Sequence, residues 1–287
     1  MEFELISPVN CEELKQCLSS NQDKNIRLAA GFTDLIIELK KDNVVDLSVI
    51  NLSKLREEEF AGILIKEEEI RIGSLVTAAS IARNVFIRDH FPVLSEAADG
   101  LASKQIREVA TIGGNICQAS PSGDLSCALT ALKAFCEIMN MKGQIRSEAL
   151  PDFFRGPGKT SLGKNEVLRN IVIPSNKSKL IRSGFIKIGK RAAMECSIVS
   201  IAWHIQSDEN GSVLHAGVAC GAVAPTVILC MEATSFLIGK KFRSLPIRDK
   251  EHFATLVQHA ASPIDDLRAS AWYRKEVLYN IAISIFE

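Results

Sequence analysis

Two short stretches of this sequence carry residue types that could bind an anion. The first is Ala110 to Asp124, ATIGGNICQASPSGD: a Gly113-Gly114 pair beside Thr111 and Asn115, a Ser120-Pro121-Ser122-Gly123 turn, and Asp124 opening an apolar run. Adjacent glycines can adopt backbone angles closed to other residues and turn N–H groups toward a ligand, so the spacing predicts a diphosphate cradle. An ordinary strand-to-helix turn uses the same residue types and is the competing reading. The second stretch is Ile26 to Ala30 running into Gly31-Phe32-Thr33-Asp34, after which Leu35, Ile36, Ile37 and Leu39 are spaced as a helix. A helix N-terminus behind a glycine turn offers free N–H groups to an anion, and it is equally a structural cap.

Other chemistries are excluded. Gly158-Lys159-Thr160 suggests a nucleotide-triphosphate loop, but Phe153 stands where that loop needs its first glycine, and no G-x-G-x-x-G occurs for a dinucleotide fold. The eight cysteines contain no C-x-x-C pair and no clustered ligand spacing, which reads as buried reduced thiols, with neither a metal site nor an iron–sulfur cluster on this chain. His90, His204, His215, His252 and His259 are scattered, with no acid–base pair among them, so no catalytic residue is assigned. Lys plus Arg balance Asp plus Glu at 34 each, which argues against nucleic acid or an anionic membrane as partner. The uncharged run Ala216 to Met231 is broken by Gly221 and Pro225 and is too short to span a bilayer. The acidic N-terminus does not resemble a signal peptide, and the expected location is cytoplasmic.

The elements that must position these loops follow from periodicity. Helices are expected over Glu12 to Leu18, from Thr77 through Arg83, from Pro92 through Ala98, and over the apolar Leu125 to Phe135. Strands are expected at Val44 to Leu47, Ile63 to Ile65 paired with Ile70 to Ile72, Cys136 to Met141 and Val167 to Ile173. The polar Ser175 to Lys179 is the best domain boundary. Beyond it, Phe185 to Ile188, Ser197 to Ile205 and Val213 to Cys220 read as antiparallel strands with a turn at Asp208 to Gly211. Helices are then expected over Val227 to Leu237, His252 to Ala260 and Ala271 to Ile283, which makes this part α+β. Trp272 and Tyr273 are either partner-facing aromatics or core, and core is the reading favoured for a helix.

These residues carry a resemblance. Ala29 to Asp34, Ala110 to Asn115 and Ser120 to Asp124 look like the two FAD-binding loops of the molybdenum hydroxylase flavoprotein (medium) subunits, a group that includes those of xanthine dehydrogenase and carbon monoxide dehydrogenase. The match continues through Phe153 to Gly156, Lys159 to Leu162, Glu166 to Leu168, Ile171 to Pro174, Phe185 to Lys187 with Arg191, Gly221 to Thr226 and Arg268 to Arg274, nearly the whole chain in order. Gly156-Pro157-Gly158-Lys159 before Leu162 is most similar to the bacterial xanthine dehydrogenase subunits.

The resemblance implies an α+β chain: a two-lobed FAD-binding domain of the vanillyl-alcohol-oxidase and molybdenum-hydroxylase type over residues 1–175, with lobes of about 1–55 and 56–175, then a smaller α+β domain over 180–287. It implies that Leu28, Ala29, Ala30, Gly31, Phe32, Thr33, Asp34 and Leu35 wrap the diphosphate and that Thr111 bonds FAD. Gly114, Asn115 and Ser120 belong to the second loop, Asp124 accepts from FAD hydroxyls, and Leu101 and Leu162 pack near the cofactor. Lys187 matches a lysine at the flavin site, where its charge would favour anionic reduced flavin; an exposed strand lysine is the plain alternative. Three departures stand out. Phe32 replaces a usual second glycine, Leu101 stands where relatives can carry an aromatic residue, and Asp34 beside a diphosphate is expected to point away or to bond backbone N–H groups.

The implied function is the FAD-carrying subunit of a xanthine dehydrogenase-like heterotrimer. Its partners would be a small iron–sulfur subunit with 2Fe-2S clusters and a large subunit with the molybdenum cofactor; NAD+ or another acceptor would take the electrons. Two rival readings remain: a self-contained FAD reductase or oxidase similar to UDP-N-acetylenolpyruvoylglucosamine reductases, and a scaffold that has lost FAD.

Overall fold

Parallel strands need crossovers long enough to return the chain, and the first fifty residues supply two helical ones. In the computed structural model, which describes residues 3–21, 25–41, 46–175, 180–191 and 194–287, strand Leu47–Asn51 lies between Glu4–Ile6 and Asn25–Ala29, parallel to both. Helices Cys11–Ser20 and Leu35–Lys41 make the crossovers. Asn10 caps the first by accepting the N–H of Glu13 at 2.9 Å. Val44 and Val45 of the expected third strand lie outside the described residues.

The next unit is an antiparallel five-stranded sheet in the order Ile63–Ile65, Glu69–Gly73, Glu166–Pro174, Phe135–Asn140, Ile145–Ala149. Its inner face packs on helices Ala78–Arg83, Pro92–Asp99 and Asp124–Ala131 in one continuous core. Thr77 caps the first of these helices and Pro92 opens the second, as their residue types predict. The third stops at Ala131, short of the expected Phe135: Lys133 turns the chain at a φ of 52°, and Phe135 already belongs to a strand.

The last unit is a sheet of Leu180–Ile188, Val199–Ser207, Val213–Gly221 and Ile228–Leu229, covered by helices Met231–Leu237, Ile247–Ala260 and Ala271–Ser284. The helix expected from Val227 starts later because Ile228 and Leu229 pair with Cys220 and Ala219 as an edge strand. The helix expected from His252 starts earlier, directly behind Pro246. Trp272 and Tyr273 are corrected: they are 72% and 42% exposed, and the side chain buried in their turn is Arg274. Its guanidinium donates to the carbonyls of Ile198 and Ala222 and to Asp266. These strands and helices, with the crossover sheet before them, make the chain α+β.

Candidate functional site

A cavity of about 800 Å³ opens where these units meet. One wall is the strand end and turn from Ile26 to Leu35; the facing wall is Ala110 to Asn115 and Ser120 to Asp124. Gly31 lets the two walls touch: a Cβ there would lie 2.0 Å from the carbonyl oxygen of Val109. Gln118 Nε2 then donates to Glu38 Oε1 at 2.7 Å across the same gap.

The Gly113-Gly114 pair works differently from the expectation. Neither glycine has a positive φ, and both lie inside a helix, Ile112–Cys117. Close approach explains them: a Cβ on Gly113 would stand 2.7 Å from the Ser74 carbonyl oxygen, and one on Gly114 would stand 3.0 Å from Thr111 Oγ1. Thr111 caps this helix by accepting the Gly114 N–H at 3.0 Å, which leaves its hydroxyl proton free to donate. Left-handed backbone occurs instead at non-glycine residues of the cavity, Phe32 at a φ of 59°, Ala102 at 42° and Met194 at 54°. Each costs about 1 kcal/mol, and such strain gathers at binding sites. The ring of Phe32 offsets part of this by packing beside Ala29, Leu39, Leu47 and Val49.

At Asp34, the alternative in which the side chain bonds backbone N–H groups is not the one that occurs. Its carboxylate accepts the Thr33 hydroxyl at 3.0 Å, while its backbone carbonyl, not its side chain, takes the N–H groups of Ile37 and Glu38. Asn115 turns inward: its Oδ1 accepts both the N–H and the hydroxyl of Ser126 at 3.2 Å, tying the glycine helix to the next one.

That next helix, Asp124–Ala131, is buried at all its residues and so holds Asp124 rigidly. Its contact with the last sheet is close enough that a Cβ on Gly217 would overlap the Ala131 carbonyl. Asp124, 5% exposed, accepts from Lys187 Nζ at 2.5 Å and from Ser197 Oγ at 2.9 Å. Burial pushes its carboxyl above the usual range, against the pull of Lys187 and Ser197. Lys187 is therefore no plain surface lysine: it reaches from strand Leu180–Ile188 to join two units at the cavity.

Every residue expected at the cofactor lines this one cavity, from Leu28 to Leu35 through Leu101, Thr111, Gly114, Asn115, Ser120, Asp124 and Leu162 to Lys187. Sequence reading missed Glu38, Gln118, Ser74 and Ser103, which line it as well. Ser103 had a readable signal, as the cap of helix Lys104–Val109. Ser74 had none. Its hydroxyl is buried without a hydrogen-bond partner, a polar atom left over at a cavity wall. Cys117 lines the cavity too, and burial pushes its thiol up to about 12, so it stays protonated. Among the described residues no group of His, Cys, Asp or Glu side chains comes together to hold a metal, and no helix is long and apolar enough to cross a membrane.

Residues 1–176 match the model for the FAD binding domain in molybdopterin dehydrogenase, and residues 185–287 match that for the CO dehydrogenase flavoprotein C-terminal domain. The chain is 29% identical to the nicotinate dehydrogenase FAD-subunit of Eubacterium barkeri, over 99% of this chain and 95% of that one. It is 32% identical to the xanthine dehydrogenase FAD-binding subunit of Escherichia coli O157:H7, over 89% and 85%. Its fold is that of a chain in carbon monoxide dehydrogenase from Hydrogenophaga pseudoflava, with a TM-score of 0.90 at 23% identity over 99% and 96% of the two. The chain thus belongs to the FAD-binding flavoprotein subunits of the molybdenum hydroxylases, and it is an oxidoreductase subunit.

Proposed function

We propose that this chain is the electron relay of a xanthine dehydrogenase-like heterotrimer in the cytoplasm. It would stand between the iron–sulfur clusters of a small subunit, fed by a molybdenum-cofactor large subunit, and NAD+ or another acceptor. Bound FAD supplies the chemistry this needs, since flavin exchanges electrons both singly and in pairs. The observation that carries this reading is the convergence of both loops, Asp124 and Lys187 on one cavity.

The residues present fit the cofactor. A cavity of about 800 Å³ is at the large end of small-molecule sites, as a dinucleotide requires, and the unpartnered Ser74 hydroxyl on its wall suits a ligand rich in polar atoms. In this reading the turn from Leu28 to Leu35 wraps the diphosphate and the Thr111 hydroxyl donates to it. Asp124 keeps acceptor capacity beyond Lys187 and Ser197 for cofactor hydroxyls, while Leu101 and Leu162 exclude water from the ring system. The Lys187 ammonium places positive charge where an anionic reduced flavin would benefit. The relatives named above for nicotinate and xanthine point to a nitrogen heteroaromatic as substrate of the complex, and a purine is our choice. The boundary between the two domains is placed at about 175–180. The five histidines stand outside the cavity lining, so a self-contained reductase would have to find its acid or base elsewhere than at a histidine.

The test is expression together with the neighbouring genes. Co-purification with a small iron–sulfur protein and a large molybdenum protein is expected. A stable monomer that turns over substrate and NADH alone would refute the proposal.

A further inference from the structure

The cavity wall that carries Leu162 is held from behind by one arginine. Arg146 lies on the edge strand Ile145–Ala149, outside the cavity lining. Its Nε donates to Glu166 Oε1 at 2.9 Å and its Nη2 to Glu166 Oε2 at 2.8 Å, a bidentate fork. Nη2 also donates to the Ser161 carbonyl at 3.0 Å, and Nη1 to Glu148 Oε2 at 2.7 Å. The ends of the segment are fastened further, because the Ser161 hydroxyl donates to Glu148 and the Gly163 N–H donates to Glu166 Oε2 at 2.7 Å.

Between those fastenings, Leu162, Gly163, Lys164 and Glu166 line the cavity. Residues 161–165 lie between the strands Lys159–Thr160 and Glu166–Pro174 and belong to neither. Leu162 is the apolar side chain by which they pack on the main core, and it is only partly buried. The position of this wall therefore rests on hydrogen bonds more than on packing: those of the guanidinium, the Ser161 N–H to the Phe153 carbonyl at 2.8 Å and the Leu162 N–H to Thr160 Oγ1 at 3.3 Å. Without the guanidinium, Glu166 would lose both bonds of the fork, while Glu148 would keep Arg155 Nη2 at 2.9 Å.

We propose that Arg146 is a positioning residue for the cofactor: by bracing segment 161–166 it keeps Leu162 against bound FAD and so sets how tightly and how long FAD is held. This rests on the FAD reading of the cavity. Lysine cannot replace arginine here, because its ammonium carries the charge without the planar fork that spans both Glu166 oxygens and the Ser161 carbonyl.

The test is titration of the full-length apo chain with FAD, with the dissociation rate measured in parallel, for wild type, R146A, R146K, L162A and the R146A/L162A double variant. Wild type binds FAD, and R146A and L162A each weaken binding roughly tenfold, about 1.4 kcal/mol, with faster release. R146K falls near R146A. If Arg146 acts through Leu162, the double variant is little weaker than L162A alone, far from the roughly hundredfold loss of two independent effects. Unchanged affinity in R146A, rescue by R146K, or a full product of the single effects overturns the proposal while leaving the FAD reading intact. A wild-type chain that takes up no FAD overturns both. Arg146 is 39% exposed on an edge strand, so R146A is expected to fold. Should circular dichroism show otherwise, Arg146→Gln, which keeps part of the side-chain stem and also breaks the fork, takes its place in the cycle with the same outcomes.

Discussion

The pair Lys187 and Asp124 shows how single residues set both stability and binding. Asp124 has a raised carboxyl value because burial outweighs its two partners. A group that binds its proton more readily folded than unfolded contributes stability below its unfolded value of 3.8, and this is lost as pH rises through the folded value. Lys187→Met removes the cation and leaves a carboxylate that is 5% exposed. Its expected cost near neutral pH is about 2–3 kcal/mol, below the usual penalty for stripping a fully buried pair because Lys187 keeps some solvent. Part of that loss should return on acidification, as Asp124 takes up its proton. Thermal unfolding from acid to neutral pH measures this, and wild-type stability with no change in slope would show that the pair contributes nothing. Gly31→Ala carries a different expectation. With its Cβ 2.0 Å from the Val109 carbonyl oxygen, the two walls must part, at about 3 kcal/mol, the upper end of overpacking costs.

At the scale of elements, the seam between helix Pro92–Asp99 and strand Leu180–Ile188 is polar and partly buried. The Val93 N–H donates to Ser183 Oγ, the Phe185 N–H donates to Glu96, and His204 Nδ1 lies 3.1 Å from Ser183 Oγ beside the ring of Phe91. Burial lowers His204 from 6.5 to about 4. Its contribution is fully present above 6.5 and is lost as pH falls through about 4, because the unfolded chain binds the proton first. Chemical denaturation should show that acid loss in wild type and a flatter profile in His204→Gln; an identical acid slope in both would remove His204 from the account. In the last domain, Arg274→Met should cost about 1–3 kcal/mol, because it leaves the carbonyls of Ile198 and Ala222 without their buried donor, while Asp266 keeps Arg268. Most elements were legible from periodicity and caps, as Thr77 and Pro92 show. The order of residues in the glycine stretch was legible too, but its physics was not. Close approach of Gly113 to Ser74 is a tertiary fact, and local sequence suggests backbone freedom instead. The short strand Ile228–Leu229 was hidden for the same reason, since only pairing with Cys220 and Ala219 takes it out of the following helix.

For the whole molecule, a parallel crossover unit, an antiparallel sheet with buried helices and a C-terminal sheet each give one wall to a single cavity. The residues that the family pattern assigns were legible because they sit in short motifs. Glu38 with Gln118, and Asp124 with Ser197, were not, since they meet across 80 and 73 residues of chain. The central claim is that FAD lies between the two loops, close against the helix that begins at Ile112. Gly114→Val adds bulk beside Thr111 Oγ1, 3.0 Å from where its Cβ must go, and toward the cavity. The direct measurement is the flavin content of the purified full-length chain from its absorption spectrum, wild type against Gly114→Val, with circular dichroism to verify the fold of both. The account predicts stoichiometric FAD in wild type and an empty, folded variant; a wild type without flavin bands, or a variant that keeps stoichiometric FAD, would contradict it.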